Sequence, residues 1–165
     1  SFVALYLGLH HAETFPMSEK DANTVVSRMV GDPYVDHFEP VTGVDFWFAD
    51  NGTATSRPNV VASHVLLTLL HAVADGDYAA SDDDREHARA LLDSNGFIPL
   101  FGPCLVTGVN EAGDDPGPLG EAFWPWFFRY TEQLQTDQIA HQVAETIREL
   151  GIPLDAIQRI VIIGE

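Results

Sequence analysis

At 165 residues the chain has the size of one ordinary domain, and 45% hydrophobic residues supply a full core. Its 25 acidic residues face only 8 basic ones, for a net charge of −17. That imbalance argues against direct nucleic-acid binding and against adhesion to anionic membranes, because both need a cationic patch.

The acidity itself has two readings. One is a salt-adapted coat, which predicts stability rising as salt screens self-repulsion. The other is a surface that engages a basic protein, with mimicry of DNA as its sharpest form. Cys104 is the only cysteine, so no intrachain disulfide can form, and its apolar neighbours read it as a small buried hydrophobe. No apolar run reaches the roughly 18 residues of a membrane span. The start, Phe2 to Leu7, lacks the basic flank of a signal segment, so a cytoplasmic protein is expected.

Residues 2–9 read as a strand, followed by a polar connection from His10 to Pro16. Ser18 is placed to cap a helix with Glu19 and Asp21 in its first turn, ending at Gly31 before Pro33. Strands over 34–41 and 44–49 flank Thr42-Gly43 and predict a hairpin, with Pro40 marking an edge. Asp50-Asn51-Gly52 makes the next turn.

Asn59 is a favoured N-cap for a mostly apolar helix running to about Ala74. A second helix spans 82–94, with Asn95-Gly96 as its stop, and a strand bent at Gly102-Pro103 spans 98–109. After a loop over 110–120, a helical region runs from Pro125 to Leu150 with a break near Thr136-Asp137. Residues 157–163 read as a buried closing strand. The order implies a single α+β domain over residues 1–165, with a mixed or mostly antiparallel sheet carrying packed helices.

Candidate chemistry is sparse. His64, Thr68, His71 and Asp75 share one narrow polar stripe on the 59–75 helix. A His–Asp pair there would orient an imidazole for acid–base work, which makes this seam the candidate for a small-molecule site or small enzyme. His64 and His71 lie roughly 10 Å apart along a helix, too far to share one ion. His10 and His11 would share a metal only in a loop. The acidic loop from Asp75 resembles a calcium loop but lacks a ligand at Ala79 and the turn glycine at Ala80. No metal, cofactor or catalytic residue is therefore expected, and no phosphate loop or nucleophile motif is present.

The segment Phe123-Trp124-Pro125-Trp126-Phe127-Phe128-Arg129-Tyr130 is dense in aromatic residues that cannot all face one side of a helix. Trp124, Trp126, Phe127, Phe128 and Tyr130 are accordingly the candidate contact residues for a protein partner or a homodimer.

Three pieces between Val30 and Gly108 carry a resemblance. They are Tyr34-Val35-Asp36-His37-Phe38 after Val30-Gly31, the run from Val44 to Gly52 followed by Pro58-Asn59 and Ala62, and Pro99 to Pro103 leading into Leu105-Val106-Thr107-Gly108. This stretch resembles an uncharacterised phage and actinobacterial-plasmid family, domain of unknown function 3846. The resemblance implies an accessory role on a mobile element and no catalysis. Residues and resemblance together point to a non-enzymatic accessory protein that binds a partner through acidic and aromatic surface.

Overall fold

In the computed structural model of the chain, residues 1–51, 56–94, 99–110, 112, 115–134 and 137–150 are described. The first strand, β1 (Phe2–Leu7), alternates two sets of apolar side chains. Leu5 and Leu7 join one core cluster; Phe2 and Ala4 join another. A strand that is apolar on both faces belongs inside a sheet covered on both sides. β1 is accordingly interior, pairing with β2 (Ala12–Met17) on one side and β5 (Cys104–Val109) on the other.

Beyond β5 lie β4 (Val44–Ala49) and then β3 (Val35–Val41), giving the order β2-β1-β5-β4-β3. A short β6 (Pro116–Gly117) also pairs with β5, and all of these pairings are antiparallel. The fold is α+β, as its sequence order implies.

One face of the sheet is covered by α1 (Ala22–Val30). Val25, Val26 and Val30 pack there on Phe2, Ala4, Met17, Trp47 and Leu105. The other face carries α2 (Val60–Asp75), α3 (Asp82–Asp93), α4 (Phe123–Leu134) and α5 (Asp137–Leu150). Val61, Val65, Leu69 and Val73 of α2 meet Leu5, Leu7, Phe46 and Val106 in the larger core. Phe123, Trp126, Phe127 and Tyr130 of α4 complete it.

The helix ends follow local chemistry. Asn59 accepts from the Ala62 N–H at 2.9 Å, and Gly76 closes α2 in the left-handed region at φ 84°. Ser81 caps α3 by accepting from the Asp84 N–H at 3.1 Å, with Asp82, Asp83 and Asp84 in its first turn. Ser18 caps a short 3-10 turn over Glu19–Asp21, and α1 follows directly.

Four expectations need correction. The polar connection of His10 to Pro16 is largely strand β2, paired from Phe2↔Met17 to Leu7↔Ala12. As an edge strand it needs few apolar residues and tolerates Pro16. The strand read from 98 begins only at Cys104, because Gly102 takes φ 72° just before Pro103. The loop read over 110–120 contains β6. The final helical region starts at Phe123, so Pro125 falls within its first turn, and it divides into α4 and α5. Gly52, Asn95, Gly96, Thr136 and the closing strand at 157–163 lie outside the described residues.

Gly108 of β5 sits against the strap that follows β6. A Cβ there would overlap the Pro118 carbonyl. Gly108→Ala is expected to cost about 1–3 kcal/mol through overpacking, read as a lowered urea midpoint. An unchanged midpoint would show that the strap gives way freely.

Candidate functional site

An irregularity in the β3–β4 hairpin assembles the site. Next to the turn the strands pair Val41↔Val44, but further on they pair Phe38↔Phe46 and His37↔Trp47. Glu39 and Pro40 thus stand against Asp45 alone, which is a β-bulge in β3. Side chains alternate with period two, so one inserted residue turns the rest of the strand over. A regular pairing continued from Val41↔Val44 would set His37 opposite Phe48. The bulge sets it instead on the α1 face with Asp45 and Trp47.

Asp45 is fully buried on this face. Its Oδ2 lies 2.8 Å from His37 Nδ1, whereas Oδ1 is buried and has no hydrogen-bond partner. Burial pushes its carboxyl up to about 6; the neighbouring Glu39 adds to this, and His37 acts the other way. A buried carboxylate with an orphaned oxygen is costly, so its presence asks for a reason beyond packing.

His37 is half-exposed, with a side-chain exposure of 46%, yet its ring is fixed. It stacks on Trp47 with centroids 4.6 Å apart and planes inclined by 19°. Trp47 Nε1 donates to Thr107 Oγ1 at 2.9 Å, and that hydroxyl donates to the Gly108 carbonyl at 2.6 Å. Asp45 therefore fixes one imidazole nitrogen. The other, Nε2, has no protein partner among the described residues.

This is an oriented imidazole backed by a carboxylate, an arrangement suited to accepting a hydrogen bond or a proton. Among the described residues no side-chain nucleophile joins it. Thr107 is buried and committed to a carbonyl. Cys104 belongs to the opposite core, where burial pushes its thiol up to about 12. Among the described residues no group of three or more histidine, cysteine or carboxylate side chains is placed to hold a metal ion. No described helix is long and apolar enough to cross a membrane.

The stripe on α2 does not gather into one place. His64 turns inward, with Nδ1 2.8 Å from the Tyr130 hydroxyl, and burial lowers its pKa to about 4. Thr68 is half-buried, while His71 and Asp75 stand in solvent. In the aromatic segment, Trp126, Phe127 and Tyr130 are core residues. Burial raises the Tyr130 hydroxyl well above its ordinary pKa, so its bond to His64 joins two neutral groups. Trp124 is half-buried and stacks with Phe128, which is exposed. That pair is what α4 offers to the surface.

Two carboxylates bind the Thr42–Gly43 turn. Asp84 accepts from the Thr42 backbone N–H at 3.3 Å and from its hydroxyl at 3.1 Å, which docks the start of α3 against the turn. Glu39 accepts from the Gly43 N–H at 3.2 Å. Asp82, Asp83 and Glu86 of α3 are exposed, as are Asp75 and Asp77 in the connection from α2. The nearby cations are engaged internally. Arg85 donates to the Ala80 carbonyl and to Asp82, and Arg89 donates to the Ala74 carbonyl. Gly120 donates to the Gly43 carbonyl at 3.0 Å, which brings the start of α4 to the same turn.

β3 is an edge strand, and it is blunted against pairing. Asp36 accepts the His37 backbone N–H at 2.8 Å, and Pro40 supplies no donor. The combination of Asp45, His37 and the bulge was not visible in sequence. The one signal was a charged residue inside the apolar run Val44-Asp45-Phe46-Trp47-Phe48. No protein family, no curated protein and no solved structure matches this chain.

Proposed function

We propose that the chain is a non-enzymatic accessory protein that binds a basic protein partner at the acidic corner formed by the β3–β4 turn and the start of α3. The carrying observation is that Glu39 and Asp84 both bind the Thr42–Gly43 turn and that Asp83 and Glu86 stand exposed in the first turns of the helix Asp84 docks. Arg85 and Arg89, meanwhile, are held by internal carbonyls and Asp82. A basic surface facing this corner gains both steering and register. Trp124 and Phe128, on the helix whose start is tied to the same turn, add an apolar contact of the kind that anchors interfaces. The resemblance noted in the sequence favours an accessory role of this sort.

Calorimetric titration with an arginine–glycine repeat peptide tests the reading. Binding at low salt that weakens by about tenfold or more at high salt is expected, because screening acts on exposed charges. No heat at low salt would overturn it.

A further inference from the structure

We propose that His37, held in place by buried Asp45, is the seat for an arginine side chain of the basic partner. The inference rests on the basic-partner reading above and adds a contact on the same β3–β4 hairpin.

The geometry selects the ligand chemistry. Asp45 Oδ2 lies 2.8 Å from Nδ1, and the tautomer that donates Nδ1–H to it presents an acceptor at Nε2. The carboxylate behind it fixes the direction of that acceptor. Glu39, on the same strand and close enough to act on Asp45, supplies further negative charge. An N–H donor carrying positive charge meets all three groups favourably. The guanidinium adds a planar fork that can donate to two acceptors at once. The ring is ready for it, since His37 is half-exposed and held flat on Trp47 at 4.6 Å.

Other occupants fit less well. An anion meets Glu39, Asp36 and a net charge of −17. A second copy of the chain would set the same acids against themselves. A metal finds fewer than three ligands among the described residues. A free guanidine would fill the seat but leave the corner at Thr42–Gly43 unmatched.

The test is an NMR titration, near neutral pH, of the whole chain with the arginine–glycine repeat peptide and, separately, with methylguanidinium. His37→Asn keeps a donor toward Asp45 but removes Nε2. Asp45→Asn keeps an acceptor for Nδ1–H but removes the charge. Dispersed backbone spectra establish that each variant is folded, and either folded variant alone decides the matter. Expected are a shift of the His37 Nε2 resonance on peptide addition and a loss of about tenfold in affinity in each variant, the size of a charge-assisted hydrogen bond. Methylguanidinium is expected to shift the same resonance only at far higher concentration. If the native chain binds the peptide but His37 stays silent and the folded variants bind as well as it does, the seat is refuted and the basic-partner reading stands. Tight methylguanidinium binding would make this a small-molecule site and overturn the assignment to a partner. Absence of peptide binding to the native chain would remove both.

Discussion

Asn59→Ala is expected to lower stability by about 3–5 kcal/mol, one of the largest losses available to a single polar residue in this chain. Asn59 is fully buried and uses its whole amide. Its Oδ1 caps α2 through the Ala62 N–H, while Nδ2 donates to the Leu7 carbonyl at 3.0 Å and the Gly102 carbonyl at 2.8 Å. One side chain therefore joins the end of β1, the approach to β5 and the start of the central helix. Truncation loses the cap, worth about 1 kcal/mol, and takes a donor from two buried carbonyls, at about 1–2 kcal/mol each, in the lower part of the usual range. Asn59→Asp keeps the cap but turns an acceptor toward both carbonyls, so it should be at least as damaging. Asn59→Ser restores only the cap and should fall between alanine and the native residue. Urea unfolding with unchanged slope checks the order. A loss under about 1 kcal/mol for alanine would show that the carbonyls find other donors.

Asp45→Asn is expected to do the reverse and stabilise the chain by about 1–2 kcal/mol at neutral pH. Burial raises the Asp45 carboxyl to about 6. A carboxyl that binds its proton more tightly in the folded chain than in the unfolded one lowers stability as pH rises between the two values. The penalty is absent below the unfolded pKa and complete above about 6. The gain from Asp45→Asn should therefore shrink steadily as pH falls from 7 toward about 4. His64 works in the opposite sense. Burial holds it down to about 4, so the unfolded chain takes the proton first and stability is lost as pH falls through that window. The two slopes oppose one another in the native chain, and removing Asp45 should expose the His64 slope. Stability measured by urea at several pH values decides this. A gain independent of pH would mean that Asp45 does not titrate in this range.

A fully buried carboxylate with one unpartnered oxygen fits a site better than a core, and Asp45 is such a residue.

The legible parts of the fold were those with a strong period. The helix after Asn59, the acid-started helix at 82, the hairpin about Thr42-Gly43 and the interior strand at the start all follow from patterns of apolar residues and caps. β2 escaped because an edge strand with Glu13, Thr14 and Pro16 resembles a connection. The strand into Cys104 was read too long because Phe101 forms only an isolated bridge with Pro58 before the turn at Gly102.

The site was less legible than the fold. The aromatic segment announced itself by composition, but composition does not say which rings face inward, and Trp126, Phe127 and Tyr130 do. The stripe His64, Thr68, His71 and Asp75 lies on a helix, as its spacing implies. Tyr130 then claims His64, and the rest of the stripe stays in water or half-buried. His37 and Asp45 depend on the bulge at Glu39–Pro40. Counting outward from Thr42-Gly43 without that extra residue sends His37 to the wrong face.

The central claim is that the corner, and not the overall charge, recognises a basic partner. Two variants with the same change in net charge separate these. One carries Glu39→Gln, Asp77→Asn, Asp83→Asn and Glu86→Gln at the corner. The other carries Glu19→Gln, Asp21→Asn, Asp50→Asn and Glu149→Gln, also exposed but away from the Thr42–Gly43 turn and from Phe128. Calorimetric affinity for the arginine–glycine repeat peptide at low salt should fall by about tenfold or more in the corner variant and by less than about threefold in the other. Equal losses in the two variants would contradict the account and leave the acidity as a general coat.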